Sequence, residues 1–206
     1  FKGQEDTLRY ALCATSPESK DSDFTWKDFQ SRNNNELVAI FGNFINRVLV
    51  LTNKYWEGII PEIGELEDYD KKVLDALKNF PDTIGESIEK YRFREALMEL
   101  MNLARLGNKY LADTEPWKLK KTDEKRTETI MNIALQIAAS LSILSEPFLP
   151  FTSKKLKSML NLPYLNWKDS INHNLKSGDK INNPTLLFSK IEDKTIDFQI
   201  EKLKKN

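Results

Sequence analysis

In "FGNFINRVLVL", residues 41 to 51, an amide and a guanidinium sit four residues apart inside an apolar run. On a helix Asn43 and Arg47 would share one face. An amide offers a donor and an acceptor, and a guanidinium offers a fork of donors. Together they can hydrogen-bond the edges of nucleobases. Trp117, which follows Pro116 in "TEPWKLKK", carries an indole on which an unpaired base could stack. Such stacking is worth about 1–3 kcal/mol per base. Lys118, Lys120 and Lys121 offer charge for phosphates, diluted by Asp123 and Glu124. Brought together, these residue types suit the reading of splayed single-stranded bases. Each also has a plainer explanation. Arg47 can cap a carbonyl or pair with a carboxylate at a bundle edge, with Asn43 beside it. A Trp after a Pro in a first helical turn can be a packing wedge. Spacing alone favours the plainer explanation, so the nucleobase reading requires Trp117 to lie close to Asn43 and Arg47 across the bundle.

Other chemistries are excluded more firmly. Cys13 is the only cysteine and His173 the only histidine among 206 residues. That rules out an internal disulfide, a cysteine-rich zinc centre and any scheme needing two imidazoles. No catalytic residue, metal site or cofactor is expected in this chain, and there is no glycine-rich phosphate loop. The cluster "ELED", Glu65 to Asp68, falls at a helix start, where carboxylates suit the helix dipole. Lys+Arg 31 balances Asp+Glu 31, so a nucleic-acid site has to be a local patch. No stretch approaches the roughly 20 apolar residues of a membrane span, and nothing at the start resembles a signal peptide. A cytoplasmic setting with no membrane partner is expected. The chain opens on Phe rather than Met, which suggests a fragment or a processed chain.

The elements that must position these residues are helices. "DTLRYALCA", residues 6 to 14, reads as a short amphipathic helix with Leu8, Tyr10, Ala11 and Leu12 inward. "TSPESKDSD" breaks it, and Thr25 with Asp28 makes a capping-box-like restart. Leu37, Ile40, Phe41, Phe44, Ile45, Val48, Leu49 and Leu51 then repeat at helical spacing. After the loop "EGIIPEIGE", a helix over 66–80 is stopped by Pro81, and a long helical stripe covers 84–111. Asp113 or Thr114 caps the next helix, with Pro116 in its first turn. "TETIMNIALQIAASLSIL" is apolar on nearly every side, as the central helix of a bundle is. "SEPFLPF" breaks the chain again and "TSKKLKSMLNL" makes a short helix. Beyond Pro163 the signal weakens. "LLFSKIED" reads as a short extended piece packing back, and "EKLKKN" as a frayed tail. With no credible βαβ pattern, the fold class is all-α, a helix bundle with a short irregular C-terminal segment.

The stretch "DTLRYALCATSPESKDSDFTWKDFQSRNNNELVAIFGNFINRVL" resembles the region of bacterial methionyl-tRNA synthetases that follows the catalytic domain. The likeness continues through "TEPWKLKK" and "SEPFLPFTSKKL" to "LLFSKIE". The Leu-Arg-Tyr helix, the Gly-Asn-x-x-x-Arg helix and the Pro-Trp turn are weak singly and specific in this order. The resemblance implies the anticodon-binding helix bundle of a class I aminoacyl-tRNA synthetase over 33–160. A connector and stem-contact segment would precede it over 1–32, and a C-terminal segment and tail would follow over 161–206. It implies that Asn43 and Arg47 contact anticodon bases and that Trp117 stacks on the first anticodon base, supported by Pro116. The implied partners are methionine tRNA, initiator and elongator, with its CAU anticodon, and the protein's own catalytic domain; DNA is not among them. Some family members carry a further C-terminal tRNA-binding and dimerising domain. ATP with magnesium would belong to the catalytic domain that this chain lacks. The parent would be a methionine-tRNA ligase, and this chain would only bind.

Lys154 to Ser158 fits Lys-x-x-Lys-Ser, the loop with which class I synthetases hold ATP phosphates. Here it falls in an amphipathic helix with Leu156, Met159 and Leu160, and no His-x-Gly-His partner exists, so it reads as a solvated lysine face. Rival readings are the anticodon-binding domain of a class I synthetase for leucine, valine, isoleucine or cysteine, and a helical interaction module that binds no RNA. The Pro-Trp turn combined with Gly-Asn-x-x-x-Arg argues for methionine. A free-standing enzyme is disfavoured by the missing acid–base and nucleotide motifs.

Overall fold

The computed structural model describes residues 3–18 and 21–204. In chain order its helices are α1 (Glu5–Ala14), α2 (Trp26–Arg32), α3 (Asn43–Trp56), α4 (Asp68–Leu77) and α5 (Phe80–Glu89), then α6 (Phe93–Thr114), α7 (Pro116–Leu119), α8 (Glu124–Leu144), α9 (Pro150–Met159) and α10 (Asp193–Lys204). A π-helical stretch, Asn33–Gly42, joins α2 to α3, and a 3₁₀ turn spans Trp167–Ile171. Among the described residues the one β-feature is an isolated antiparallel bridge between Ile59 and Lys180.

The apolar character of α8 on all sides makes it the axis: every residue from Thr129 to Leu144 is buried. Helices α3, α4, α6 and α9 pack around it. By length and hydropathy α8 does qualify to cross a membrane, contrary to the sequence reading, but its surface is covered by the rest of the bundle. Its buried polar residues need partners, and four of them, Thr129, Asn132, Gln136 and Ser140, fall in one stripe. Thr129 Oγ1 accepts from Gly64 N–H at 2.9 Å, and Asn132 donates to Pro61 O at 2.8 Å. Gln136 donates to Leu175 O at 2.8 Å, and Ser140 donates to Ser170 O. The stripe thereby holds the loop between α3 and α4 and the irregular segment after α9, which also bond to each other through Ile60 N–H to Asp179 O at 2.8 Å.

Helix dihedrals persist across both ends of the π-helical stretch, at Arg32 (φ −63°, ψ −44°) and Asn43 (φ −62°, ψ −46°), so residues 26–56 form one continuous helix. Its start is half a capping box. Thr25 Oγ1 accepts from Asp28 N–H at 3.0 Å, while the Asp28 carboxylate pairs forward with Arg32 at 2.7 Å. The wide turns of a π-helix shift the phase of whatever follows. Phe29 of α2 joins a small cluster with Ala11, Ile191 and Ile196, whereas Phe44, Ile45, Val48 and Leu49 of α3 face the main core. There the Phe44 ring lies against α6 at Gly107, where a Cβ would overlap it.

A buried ionic cluster ties α4, α6 and α8. Asp70, fully buried, accepts from Arg126 at 2.5 and 2.9 Å and from the Tyr110 hydroxyl at 2.6 Å. Burial alone would raise its pKa. The hydrogen bonds from Arg126, Tyr110 and the Glu67 backbone outweigh burial and hold it below the ordinary carboxylate value.

Several sequence expectations are corrected. Leu8 and Leu12 of α1 are 41% and 51% exposed, and the inward side is Asp6, Thr7, Tyr10, Ala11 and Ala14. Asp6 is drawn inside because its carboxylate accepts the N–H of Thr152 in the first turn of α9 at 2.6 Å. Pro81 opens α5 rather than ending a helix, since a first turn has no N–H to lose. The stripe over 84–111 is two helices, parted at Tyr91, whose φ is 57°. Residues 201–204, expected as part of a frayed tail, belong to α10; residues 205 and 206, and residues 19 and 20 of the polar break, lie outside the described residues.

Candidate nucleic-acid interface

Helix α6 ends because Glu115 adopts the left-handed conformation (φ 42°, ψ 55°). Glu115 therefore precedes α7, in place of the expected cap by Asp113 or Thr114. Those two remain helical with their side chains engaged. Asp113 accepts from Lys109 at 2.6 Å and Tyr69 at 2.7 Å, and Thr114 Oγ1 bonds Tyr110 O at 2.6 Å. The left-handed residue reverses the chain and lays Trp117 against α3. The guanidinium carbon of Arg47 lies 4.7 Å from the indole centroid. Arg47 has neither a carboxylate nor a carbonyl partner among the described residues, so the plainer role weighed for it is absent. Trp117 is half-buried, packed on the rim of the core, and Pro116 beneath it is buried.

Asn43 is exposed one turn before Arg47. Its Nδ2 donates to Asn108 Oδ1 on α6 at 3.2 Å, and Asn108 donates in turn to Ile40 O at 2.9 Å and Ala104 O at 3.1 Å. The two asparagines meet because Gly107 lets the helices approach next door. The same face of α3 continues through exposed Val50 and Lys54. Beyond Trp117, Lys120 Nζ sits 4.3 Å from the Trp56 ring centroid.

The three lysines differ. Lys118 pairs with Glu115 at 2.8 Å and Lys120 pairs with Glu124, whereas Lys121 is exposed with no partner among the described residues. Asn108 and the Lys120–Trp56 pair were not found from the sequence. The one signal for Asn108 was its neighbour Gly107, the only glycine in α6. Lys154 to Ser158 lies in α9, as expected, but the lysines are not uniformly solvated. Lys155 donates to Leu186 O at 2.7 Å and Lys157 pairs with Glu146 at 2.6 Å.

Comparison with known proteins bears on this geometry. Residues 60–204 match the family described as the anticodon binding domain of methionyl tRNA ligase, and residues 2–49 match that of class I tRNA synthetases (M). Asn43 and Arg47 fall in one matched stretch, Trp117 and Asn108 in the other. The chain is 61% identical over 204 residues to a methionine–tRNA ligase of Cytophaga hutchinsonii and 55% identical over 204 residues to that of Bacteroides fragilis. Each match covers 98% of this chain, which spans about 30% of the length of these relatives. The fold matches crystal structures of Mycobacterium tuberculosis methionyl-tRNA synthetase. The apo form gives a TM-score of 0.85 at 22% identity, covering 91% of this chain and 39% of that one. The form bound to methionyl-adenylate gives 0.84 at 23% identity, covering 89% and 37%. A helix bundle matched over both stretches, with 55–61% identity to these relatives across almost its whole length, places the chain in the methionyl-tRNA ligase anticodon-binding family.

Proposed function

We propose that this chain reads the CAU anticodon of methionine tRNA, initiator and elongator alike, as the anticodon-binding part of a cytoplasmic methionine-tRNA ligase. The observation that carries this is the contact between Arg47 and Trp117, 70 residues apart in sequence, with Asn43 exposed one turn away. In the free chain Arg47 covers the indole. A cation–π contact at an exposed site is worth about 0.5–1 kcal/mol, and base stacking on Trp about 1–3 kcal/mol. An unstacked base therefore displaces the guanidinium, which is released to hydrogen-bond base edges. A wrong base leaves these donors unpaired and costs on the order of 1–3 kcal/mol. In this reading residues 1–32 connect to the catalytic part and touch the tRNA stem, residues 33–160 bind the anticodon, and residues 161–206 brace the bundle. ATP and magnesium serve the catalytic part of the full-length enzyme.

The test is titration of the full-length protein with a CAU anticodon hairpin and with a scrambled-loop hairpin. A preference for CAU that Trp117→Ala reduces by about 1–3 kcal/mol supports the reading. Equal binding of both hairpins would leave only a backbone-binding surface, and no binding of either would point to a module that does not bind RNA. The lysines give a second prediction. Lys121→Gln should flatten the salt dependence of hairpin binding by roughly one phosphate contact. Lys118→Gln should change it less, because its ammonium is already shared with Glu115.

A further inference from the structure

Asn108 belongs to no motif, yet its hydrogen bonds dictate how Asn43 faces solvent. Its Nδ2 donates to two backbone carbonyls, Ile40 O at 2.9 Å and Ala104 O at 3.1 Å. A carbonyl only accepts, so the Asn108 amide has a single orientation, with its NH₂ toward those oxygens and Oδ1 toward α3. That Oδ1 also only accepts, and it takes Asn43 Nδ2 at 3.2 Å. Turning the Asn43 amide over would set two oxygens against each other. Asn43 therefore shows solvent an Oδ1 without a partner among the described residues, with one remaining N–H beside it, always in that order.

Nucleobases differ in this order. Cytosine offers an exocyclic amine next to an accepting ring nitrogen, and so does adenine. Uracil and guanine offer a carbonyl next to a ring N–H, the reverse pattern. We propose that Asn108 is a positioning residue that locks the Asn43 amide, so that this edge of the site selects amino over keto bases. The inference rests on the anticodon reading above and names the base chemistry that Asn43 accepts.

The experiment again uses the full-length protein and hairpins. The CAU hairpin is compared with one in which cytosine is replaced by uracil, and with one in which adenine is replaced by inosine; each swap turns an amine into a carbonyl. Wild type is expected to lose about tenfold at the position that meets Asn43. In Asn108→Ala the Asn43 amide turns freely, and that ratio should fall toward one. Asn43→Ala, at an exposed position, should also lose the ratio, and adding Asn108→Ala to it should change the ratio no further. If Asn108 only braced the helix pair, Asn108→Ala would weaken all hairpins equally and leave the ratio intact, which overturns the proposal. A wild type that does not separate CAU from scrambled loops fails earlier, at the anticodon reading itself, and the two failures are told apart by that control.

Discussion

Arg126→Met is expected to destabilise the protein by about 3–5 kcal/mol, because it strands a buried carboxylate. Asp70 has no exposed side-chain surface and Arg126 only 12%, so water cannot take over the lost bonds. The Tyr110 hydroxyl and the Glu67 N–H would remain, and two neutral donors do not replace a bidentate guanidinium. The double variant Asp70→Asn with Arg126→Met should be less damaging than Arg126→Met alone, since it removes both charges together. Denaturant unfolding of the two variants measures this; Arg126→Met proving no worse than the double would refute it. The pH dependence follows from the lowered pKa of Asp70. A carboxyl depressed in the folded state contributes its full stability above the unfolded value of about 4, and loses it as the pH falls through the depressed value. The stability advantage of wild type over Asp70→Asn should therefore shrink below about pH 4 and stay level from there to neutrality. Arg126 also lies in the first turn of α8, a short turn after α7, so its loss should loosen Trp117 as well as the core.

Gly107→Val is expected to cost about 3 kcal/mol and to weaken RNA binding with it. A Cβ at position 107 overlaps the Phe44 ring, which is itself fully buried and cannot swing away. Overpacking of this kind typically costs about 1–3 kcal/mol. Replacing a helical glycine by alanine recovers up to about 1 kcal/mol in helix propensity. Alanine at this position should thus be mildly destabilising, and valine, bulkier and β-branched, clearly so. Phe44→Leu should partly rescue Gly107→Ala, a non-additivity that a double-mutant cycle of thermal unfolding would detect. If the two substitutions added independently, the close approach would not be what sets the spacing of α3 and α6.

Much of the bundle was readable because helical periodicity is local. The central position of α8 follows from an apolar run with no polar face wide enough for solvent. What sequence could not supply were decisions made by distant groups. The apolar residues of α1 allow two inward faces, and the choice falls to Asp6, which caps a helix 146 residues away. Tyr91 and Glu115 turn left-handed without the glycine or asparagine that usually signals such a turn, so neither the break before α6 nor the fold-back of Trp117 was visible. For the site, a spacing of four placed Asn43 and Arg47 on one face. Their meeting with Trp117 was a requirement of the nucleobase reading rather than a derivation from spacing. Asn108 was hidden for a different reason: an asparagine inside a helix usually signals nothing, and its importance lies in which atoms it leaves facing its neighbour.

The π-helical stretch before Asn43 has a consequence for inheritance. Each residue of an α-helix turns the chain by about 100°. Ten residues in wide turns, Asn33–Gly42, fix the angle at which α3 leaves α2. A lineage that dropped one residue there, with the wide turns kept, would rotate everything downstream by roughly a quarter turn. Asn43 and Arg47 would then swing from the rim into the wall of the bundle, while Phe44 and Val48 turned outward. Surface loops can gain or lose residues with little penalty. The count of residues between Thr25 and Arg47 has no such latitude, and descent has to transmit it whole.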